Sequence, residues 1–206
     1  MSRASVFRQQ MLQATREVVL AEGLDVTMDR IAEHAGITRI TLYRHFGNRA
    51  GLLSALLLLE SMELAEKVEA VLDDSRRRFP ERVIDVIMLI VPEAHKSVFF
   101  RAFLDQVPFG EISGPEIDER FGNQLRQFFG PYFEAPEARR LLRNDPAETL
   151  DWLIRVTLMY LIVTVGAREE TADVGWIRPE IERFVMPAIL TPNALSSFRR
   201  RLADHR

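Results

Sequence analysis

The sequence contains no cysteine and no large excess of charge of either sign. The absence of cysteine excludes disulfides, thiolate-ligated zinc, iron–sulfur clusters and thiol catalysis. The formal net charge of −3 excludes a protein that coats nucleic acid or an anionic membrane through bulk charge. Any binding of nucleic acid must therefore come from a local patch.

Long apolar runs are also missing. The most apolar stretch, residues 156–167, has twelve residues, which is short of the roughly 18–20 needed to span a bilayer. Arg3 and Arg8 lie near the N-terminus, but no apolar run follows them as in a signal peptide. The expectation is therefore a cytoplasmic protein without a membrane partner.

The sequence has none of the common catalytic signatures. It contains no G-x-S-x-G, Walker A, G-x-G-x-x-G or His-Glu-x-x-His pattern. The four histidines show no ligand spacing; they are His34, His45, His95 and His205. These absences predict a protein that is not an enzyme and has no cofactor, no metal site and no catalytic residues.

What the sequence does have is helical periodicity along its whole length, without an alternating strand pattern. We therefore predict an all-α fold with a core of ordinary size, since 47% of the 206 residues are hydrophobic. A short helix is predicted after Thr27 and another over 38–46. The other predicted helices span 5–22, 49–74, 81–91, 93–106, 115–133, 146–167, 179–190 and 192–204.

Charge divides the chain into two parts. Residues 1–48 hold six Arg against five Asp and Glu, whereas residues 49–206 have a net charge of −4. This shift predicts a small N-terminal three-helix domain over 1–48 and a larger, more acidic helical domain over 49–206.

The segment 27–49 has the features of a helix-turn-helix, in which two short helices are joined by a tight turn containing glycine. Thr27 and Thr38 are good N-cap residues, and Gly36 lies in the turn between the two helices. The predicted small core consists of Ile31, Ile37, Leu42 and Phe46. This leaves a polar row facing outward, whose side chains can bond to bases and phosphates: Thr38, Arg39, Thr41, Tyr43, Arg44 and His45, with Ile40 among them.

The same stretch, IAEHAGITRITLYRHFGNR over residues 31–49, resembles the signature of the TetR family of bacterial transcriptional regulators. The resemblance covers roughly residues 8–57 and includes an N-terminal helix that ends in glycine. Two positions depart from the family pattern. Ile40 stands where a small residue is usual, which predicts altered base contacts nearby, and Ala50 replaces a common acidic residue.

The resemblance implies a role for each residue of the DNA-binding surface. Backbone contacts are implied for Thr27, Tyr43, His45 and Arg49. Base contacts are implied for Arg39, Thr41 and Arg44. Thr38 is left open between a helix cap and a phosphate contact. The implied partner is double-stranded DNA with a near-palindromic operator, bound by a homodimer.

The predicted body holds most of the aromatic residues, and at helical spacing such residues form a solid core more often than they line a pocket. The resemblance to TetR regulators implies that residues 1–48 are a helix-turn-helix DNA-binding domain. It also implies that residues 49–206 are an effector-binding and dimerisation domain with an effector pocket between its helices. We predict an apolar lining with few polar groups and a small hydrophobic effector of aromatic or acyl type. The candidate lining residues are His95, Phe99, Phe103, Gln124, Phe128, Thr157 and Tyr160.

The segment 146–167 is apolar on two faces and needs two neighbours, which can both lie within one chain or include a second subunit. The resemblance to TetR regulators implies the second arrangement, in which this helix and the helix over 179–190 form a four-helix bundle in a homodimer. The functional prediction is a repressor released by a hydrophobic effector. Two alternatives stay open: a helical ligand-binding protein with a vestigial DNA-binding head, and a DNA binder without an effector.

Overall fold

This computed structural model describes residues 3–97, 100, 115–165 and 174–204, and within them it confirms the all-α prediction. The N-terminal helices are α1 (Arg3–Glu22), α2 (Met28–His34), α3 (Arg39–Phe46) and α4 (Arg49–Leu72). The later helices are α5 (Phe79–Lys96), α6 (Pro115–Glu134), α7 (Pro136–Leu141), α8 (Pro146–Val165), α9 and α10 (Pro192–Asp204). Helix α9 is a series of contiguous turns, Ile177–Glu180, the π-helical turn Ile181–Val185, and Met186–Ile189.

Packing groups the described residues into two compact units. The first compact unit comprises the described residues of Met1–Leu64 and Ser97–Gly122, and the second comprises those of Ala65–Lys96 and Asn123–Arg206. The predicted division of function between residues 48 and 49 stays a prediction, because packing shows which residues lie together and does not show which activity each unit has.

The core of the first compact unit is formed by α1, α2, α3 and the N-terminal half of α4. Leu42 and Phe46 of α3 are almost fully buried, with exposed fractions of 0% and 2%. They pack with residues such as Met11, Ile31 and Leu52 in one apolar cluster. Because each short helix contributes buried side chains to this cluster, the cluster fixes the orientation of α3 relative to α1 and α2.

The second compact unit is built around α5, which buries an apolar face that includes Ile84, Ile87 and Val91. Phe79 at its first turn packs edge-to-face on Phe133, with ring centroids 5.1 Å apart. Near the chain end, the residues that follow α7 and α9 meet in an isolated antiparallel bridge between Leu142 and Leu190.

Helix α5 differs from its prediction, because it passes through Pro92 instead of ending before it. A proline inside a helix removes one hydrogen bond and costs ~3 kcal/mol. Burial of Val91 and Ala94 on either side of Pro92 offsets that cost. Two further features were missed, the short helix α7 and the π-helical turn of α9. The predicted helix over 93–106 lies mostly outside the described residues.

Candidate nucleic-acid interface

Helix α2 begins where its sequence supplies a cap. Thr27 has extended backbone angles, and its Oγ1 accepts a hydrogen bond from the Arg30 amide at 3.2 Å. Asp29 lies in the first turn, where its charge is favourable to the helix dipole. The bond at Thr27 uses a lone pair of the hydroxyl oxygen, so the hydroxyl proton stays available to a phosphate.

The turn after α2 is a Schellman motif. The Ile37 amide donates to the Ala32 carbonyl at 3.0 Å, and the Gly36 amide donates to the Glu33 carbonyl at 3.1 Å. Gly36 has a φ of 65°, in the left-handed region. A Cβ at this position would meet no atom within 4 Å, so the glycine is needed for its backbone angle and not for space.

Helix α3 is fixed at both ends by local bonds. Thr38 Oγ1 accepts from the Thr41 amide at 3.2 Å and lies 2.9 Å from Thr41 Oγ1. The Gly47 amide, at a φ of 77°, donates to the Tyr43 carbonyl at 2.7 Å and ends the helix. Asn48 then caps α4, because its Oδ1 accepts from the Gly51 amide at 2.7 Å. Thr38 is thus a helix cap, and its predicted phosphate contact stays a prediction.

The outward face of α3 presents Ile40, Tyr43 and Arg44, which lie at i, i+3 and i+4. Ile40 is 79% exposed. Arg44 is exposed and has no ion-pair or hydrogen-bond partner within the described part of the chain. This face therefore presents one exposed apolar side chain, Ile40, and one exposed cationic side chain, Arg44, that is not paired within the described part of the chain.

Arg39 is held in place by two neighbours. One of its Nη atoms donates to Asp29 Oδ2 at 2.9 Å and the other to the Tyr43 hydroxyl at 3.3 Å. Its guanidinium also stands 5.3 Å from the centroid of the Tyr43 ring. The hydrogen bond to Tyr43 and the charge of Asp29 raise the pKa of Arg39. Sequence reasoning missed this bridge between α2 and α3, although a carboxylate in the first turn of α2 was visible.

His45, near the end of α3, and Arg49, the first residue of α4, are both half-buried. The His45 ring packs edge-to-face on Phe7 of α1, with centroids 5.7 Å apart. The Arg49 side chain donates to the backbone carbonyl of Leu24, which ties the start of α4 to the turn between α1 and α2. Arg49 thus has a structural partner that the sequence did not predict, and its other N–H groups are the ones a phosphate would use.

Two surface pairs brace α2 against α1. Arg30 binds Glu22 at 2.7 Å, and the hydrogen bond from Arg30 lowers the pKa of Glu22. His34 Nε2 lies 3.1 Å from a carboxylate oxygen of Glu17, and that bond lowers the pKa of Glu17. His34 is exposed at the surface of α2.

The predicted DNA-contacting residues all belong to the first compact unit. Thr27 and Thr38 cap α2 and α3, and Arg39 to His45 lie on α3 itself. Their contacts with DNA stay predictions. The described residues contain no group of three His, Cys, Asp or Glu side chains able to hold a metal ion. None of the described helices is long and apolar enough to cross a membrane.

The candidate effector residues lie partly in the second compact unit. Phe99 and Phe103 fall outside the described residues. Gln124 is exposed, and Phe128 is half-buried against Phe129. The Thr157 hydroxyl donates to the Leu153 carbonyl at 2.8 Å.

His95 and Tyr160 are linked by a residue that sequence reasoning missed. Thr164 is buried, and its Oγ1 donates to the Tyr160 carbonyl at 2.6 Å. His95 Nε2 lies 2.6 Å from Thr164 Oγ1. Because a hydroxyl has one proton to donate, His95 must donate through Nε2. Burial, followed by the nearby Glu180, raises the pKa of the Tyr160 hydroxyl.

The segment that contains this interface is similar to known DNA-binding regulators. Residues 11–56 match the model of the bacterial regulatory proteins of the tetR family. Over 114 residues, or 55% of this chain, the sequence is 36% identical to the HTH-type transcriptional regulator AlkX of Mycobacterium tuberculosis, covering 50% of that protein. The chain spans half or less of the length of the curated relatives it matches.

Solved structures extend the likeness to most of the chain, at the level of the fold. The transcriptional repressor QsdR of R. erythropolis is 20% identical with a TM-score of 0.63, over 91% of this chain and 97% of that one. The transcriptional regulator FadR of Bacillus subtilis, solved in complex with stearoyl-CoA, is 16% identical with a TM-score of 0.57, over 88% of this chain and 98% of that one.

Proposed function

We propose that this chain is a regulator of the TetR family, because residues 11–56 match that family's model, and that it is a homodimeric, sequence-specific DNA-binding repressor released by a hydrophobic small molecule. The observation that carries this proposal is the exposed face of α3, which the Gly36 turn and the buried Leu42 and Phe46 hold outward. In a helix-turn-helix protein the second helix lies in the major groove and its N-terminal residues contact base edges. Helix α3 is this recognition helix.

The contacts divide by chemistry. Arg44 has a planar guanidinium that matches the two acceptors of guanine, so it is the principal base reader, with Arg39 and Thr41 beside it. Tyr43 and the exposed hydroxyl of Thr27 donate to phosphates on either side. The backbone contacts at the two ends of α3 are completed by His45, Arg49 and Thr38.

The homodimer forms through α8 and α9. Large apolar side chains on these helices are exposed in the single chain, with fractions from 38% to 61%. Trp152, Met159 and Val163 recur at helical spacing on α8, and Phe184 follows on α9. A patch of this kind marks an interaction site, and a two-fold dimer covers it with the same patch of a second copy.

The dimer sets the mechanism. Two copies of α3 enter successive major grooves on one side of the duplex, about 34–36 Å apart, and the operator is a near-palindrome. An effector acts by favouring an arrangement of the dimer in which the two recognition helices have the wrong separation. By linkage, the effector lowers operator affinity by the same factor by which the operator lowers effector affinity.

The central test is selection of bound sequences from random duplex DNA by the full-length protein. The expected result is a near-palindromic consensus whose half-sites lie one helical turn apart. Recovery of random sequences, together with binding that does not discriminate between duplexes, would leave a helical ligand-binding protein with a vestigial head. Sedimentation of the same preparation should give a dimer at micromolar concentration.

The effector class follows from the second compact unit. There, His95 is bonded to Thr164, and the Tyr160 ring lies beside Trp176 with ring centroids 6.0 Å apart. A site of this composition suits an apolar ligand with one polar group, of acyl or aromatic type. The complex of FadR with stearoyl-CoA supports the acyl choice.

The effector is tested by thermal shift and by operator release, with long-chain acyl-CoA and an aromatic acid as probes. A probe that raises the melting temperature should also release the operator. If no hydrophobic probe stabilises the protein or changes operator affinity, the protein is a DNA binder without an effector.

A further inference from the structure

The most exposed of the large apolar side chains in the described part of the chain is Ile40, at 79%. Single exposed apolar residues are common on protein surfaces and need no explanation in general. Ile40 differs by its position, because it is the second residue of α3 and lies in the first turn of the proposed recognition helix. Its neighbours on the same face are Tyr43 and Arg44, which are polar.

The other polar side chains of this first turn already form hydrogen bonds within the protein. Arg39 is bound to Asp29 and Tyr43, and the Thr41 hydroxyl lies 2.9 Å from that of Thr38. Ile40 and Arg44 have no such commitments within the described residues. They are therefore the groups that a base edge can meet without breaking a bond in the protein.

We propose that Ile40 is a specificity-determining residue that reads the C5-methyl group of a thymine in each half-site; this rests on the proposed function. The C5-methyl group of thymine is the one apolar group that an unmodified base pair presents in the major groove. Contact between this methyl group and the Ile40 side chain removes apolar surface of both from water. The major-groove edge of a guanine or an adenine would instead place a polar group against Ile40 without a partner.

The spacing of Ile40 and Arg44 places the thymine relative to a guanine. Four residues of an α-helix rise ~6 Å, and successive bases on one strand are ~3.4 Å apart. The base pair that contacts Ile40 and the guanine that Arg44 reads should therefore lie about two base steps apart. The selected consensus should contain a thymine and a guanine at this separation in both half-sites.

The test is a double-mutant cycle between protein and DNA. Deoxyuridine replaces the consensus thymine and removes only the methyl group, and Ile40→Ala removes the side chain that contacts it. Wild-type protein should bind the deoxyuridine operator about fourfold more weakly per substituted half-site, the equivalent of one lost methyl contact. Ile40→Ala should bind both operators equally. If the variant stays as sensitive to deoxyuridine as the wild type, Ile40 is not the reader.

Two control variants separate recognition from folding. Ile40→Val keeps a branched apolar side chain and should keep most of the discrimination between thymine and deoxyuridine. Met62→Ala removes a 61% exposed apolar side chain from α4, about 20 Å along the helix from Arg49, and should leave operator affinity and discrimination unchanged. Ile40→Ala should melt at the wild-type temperature, because Ile40 makes little use of the core and alanine is a good helix former.

The same methyl group occurs in 5-methylcytosine, so a second arm replaces the consensus cytosines with that base. Thymine reading predicts no increase in affinity from cytosine methylation and a loss from deoxyuridine. The opposite result would identify a methylated cytosine as the ligand and overturn the thymine assignment. Failure of the wild type to select any operator would overturn the proposed function, whereas a selected operator that tolerates deoxyuridine overturns only the role of Ile40.

Discussion

The two compact units encode their structures in different ways. In the first, single residues at fixed positions set the geometry: Thr27 and Thr38 start helices, and Gly36 and Gly47 reverse the chain at positive φ. In the second, the helices are long and apolar, and which of their residues are buried depends on which faces other parts of the chain cover. In α8, for example, buried Tyr160 is followed three residues later by exposed Val163. Local signals specify the first unit, and long-range packing specifies the second.

The largest expected effect comes from the exposed apolar face of the second unit. The pair Met159→Glu and Phe184→Glu should convert dimers to monomers without unfolding them, because both side chains are exposed in the single chain. Loss of the second recognition helix removes the gain from bivalent binding, so operator affinity should fall roughly 100-fold or more. Sedimentation and fluorescence anisotropy measure the two effects.

The matched control for this pair is Met62→Glu, which places the same charge on a comparably exposed methionine of α4. It should leave the dimer and the operator affinity intact. A double variant that stays dimeric, or monomers that bind the operator as tightly as the wild type, would contradict the dimer face and leave α8 and α9 without a proposed partner.

The contrast between the units also explains what could be predicted from the sequence. The bounds of α2 and α3 follow from local preferences, because a threonine caps the start of each helix and a glycine lies just beyond its end. Helix α5 could not be predicted through Pro92, because continuation depends on the burial of Val91 and Ala94 against distant residues. The π-helical turn of α9 has no signal of its own in the sequence.

At the candidate interface, too, the sequence predicts local features but not contacts between distant residues. Sequence reasoning listed the residues of α3 that point outward, because a small core of Leu42 and Phe46 leaves them no other direction. It did not predict that Arg39 is bound to Asp29 or that Arg49 is bound to the Leu24 carbonyl. Such bonds join residues 10 and 25 positions apart, and no local pattern records them.

The second prediction concerns Arg44, which has no partner in the described part of the first unit. Arg44→Ala should cost ~1–3 kcal/mol of operator binding, or about 5- to 150-fold, and relax the preference at one base position per half-site. Tyr43→Phe should weaken binding to all sequences alike, because a phosphate contact carries no sequence information. Arg140→Ala, which removes an exposed arginine from α7, is the control and should have little effect. Unchanged affinity and preference in Arg44→Ala would remove Arg44 from the interface.

The third prediction compares one substitution in both units. Gly36→Ala should destabilise the fold by ~1–2 kcal/mol, since alanine must adopt the left-handed φ of 65°. Gly130→Ala, in α6, should change the free energy of unfolding by less than ~0.5 kcal/mol, because the gain in helix propensity is offset by the restriction that Pro131 imposes on a preceding Cβ. In neither case does the added Cβ meet an atom within 4 Å. Urea unfolding measures both, and equal effects would contradict the local encoding of the turn.

The smallest expected effect is on the pH dependence of the second unit. Hydrogen bonds from Lys67 and then Lys96 lower the pKa of Glu93 below its ordinary value of 4.5. A lowered pKa in the folded state means that the ion pairs stabilise the protein fully above about pH 4.5, and that this contribution is lost as the pH falls through the folded value. Because both lysines are largely exposed, the contribution should stay below about 1 kcal/mol.

Glu93→Gln should therefore lower stability at pH 7 slightly and flatten its decline toward pH 3, as measured by urea unfolding. The control is Glu66→Gln, at an exposed position on α4 without an ion pair in the described part of the chain, and it should leave the pH profile of stability unchanged. A matching change in both variants would show that the effect comes from net charge and not from the ion pairs of Glu93.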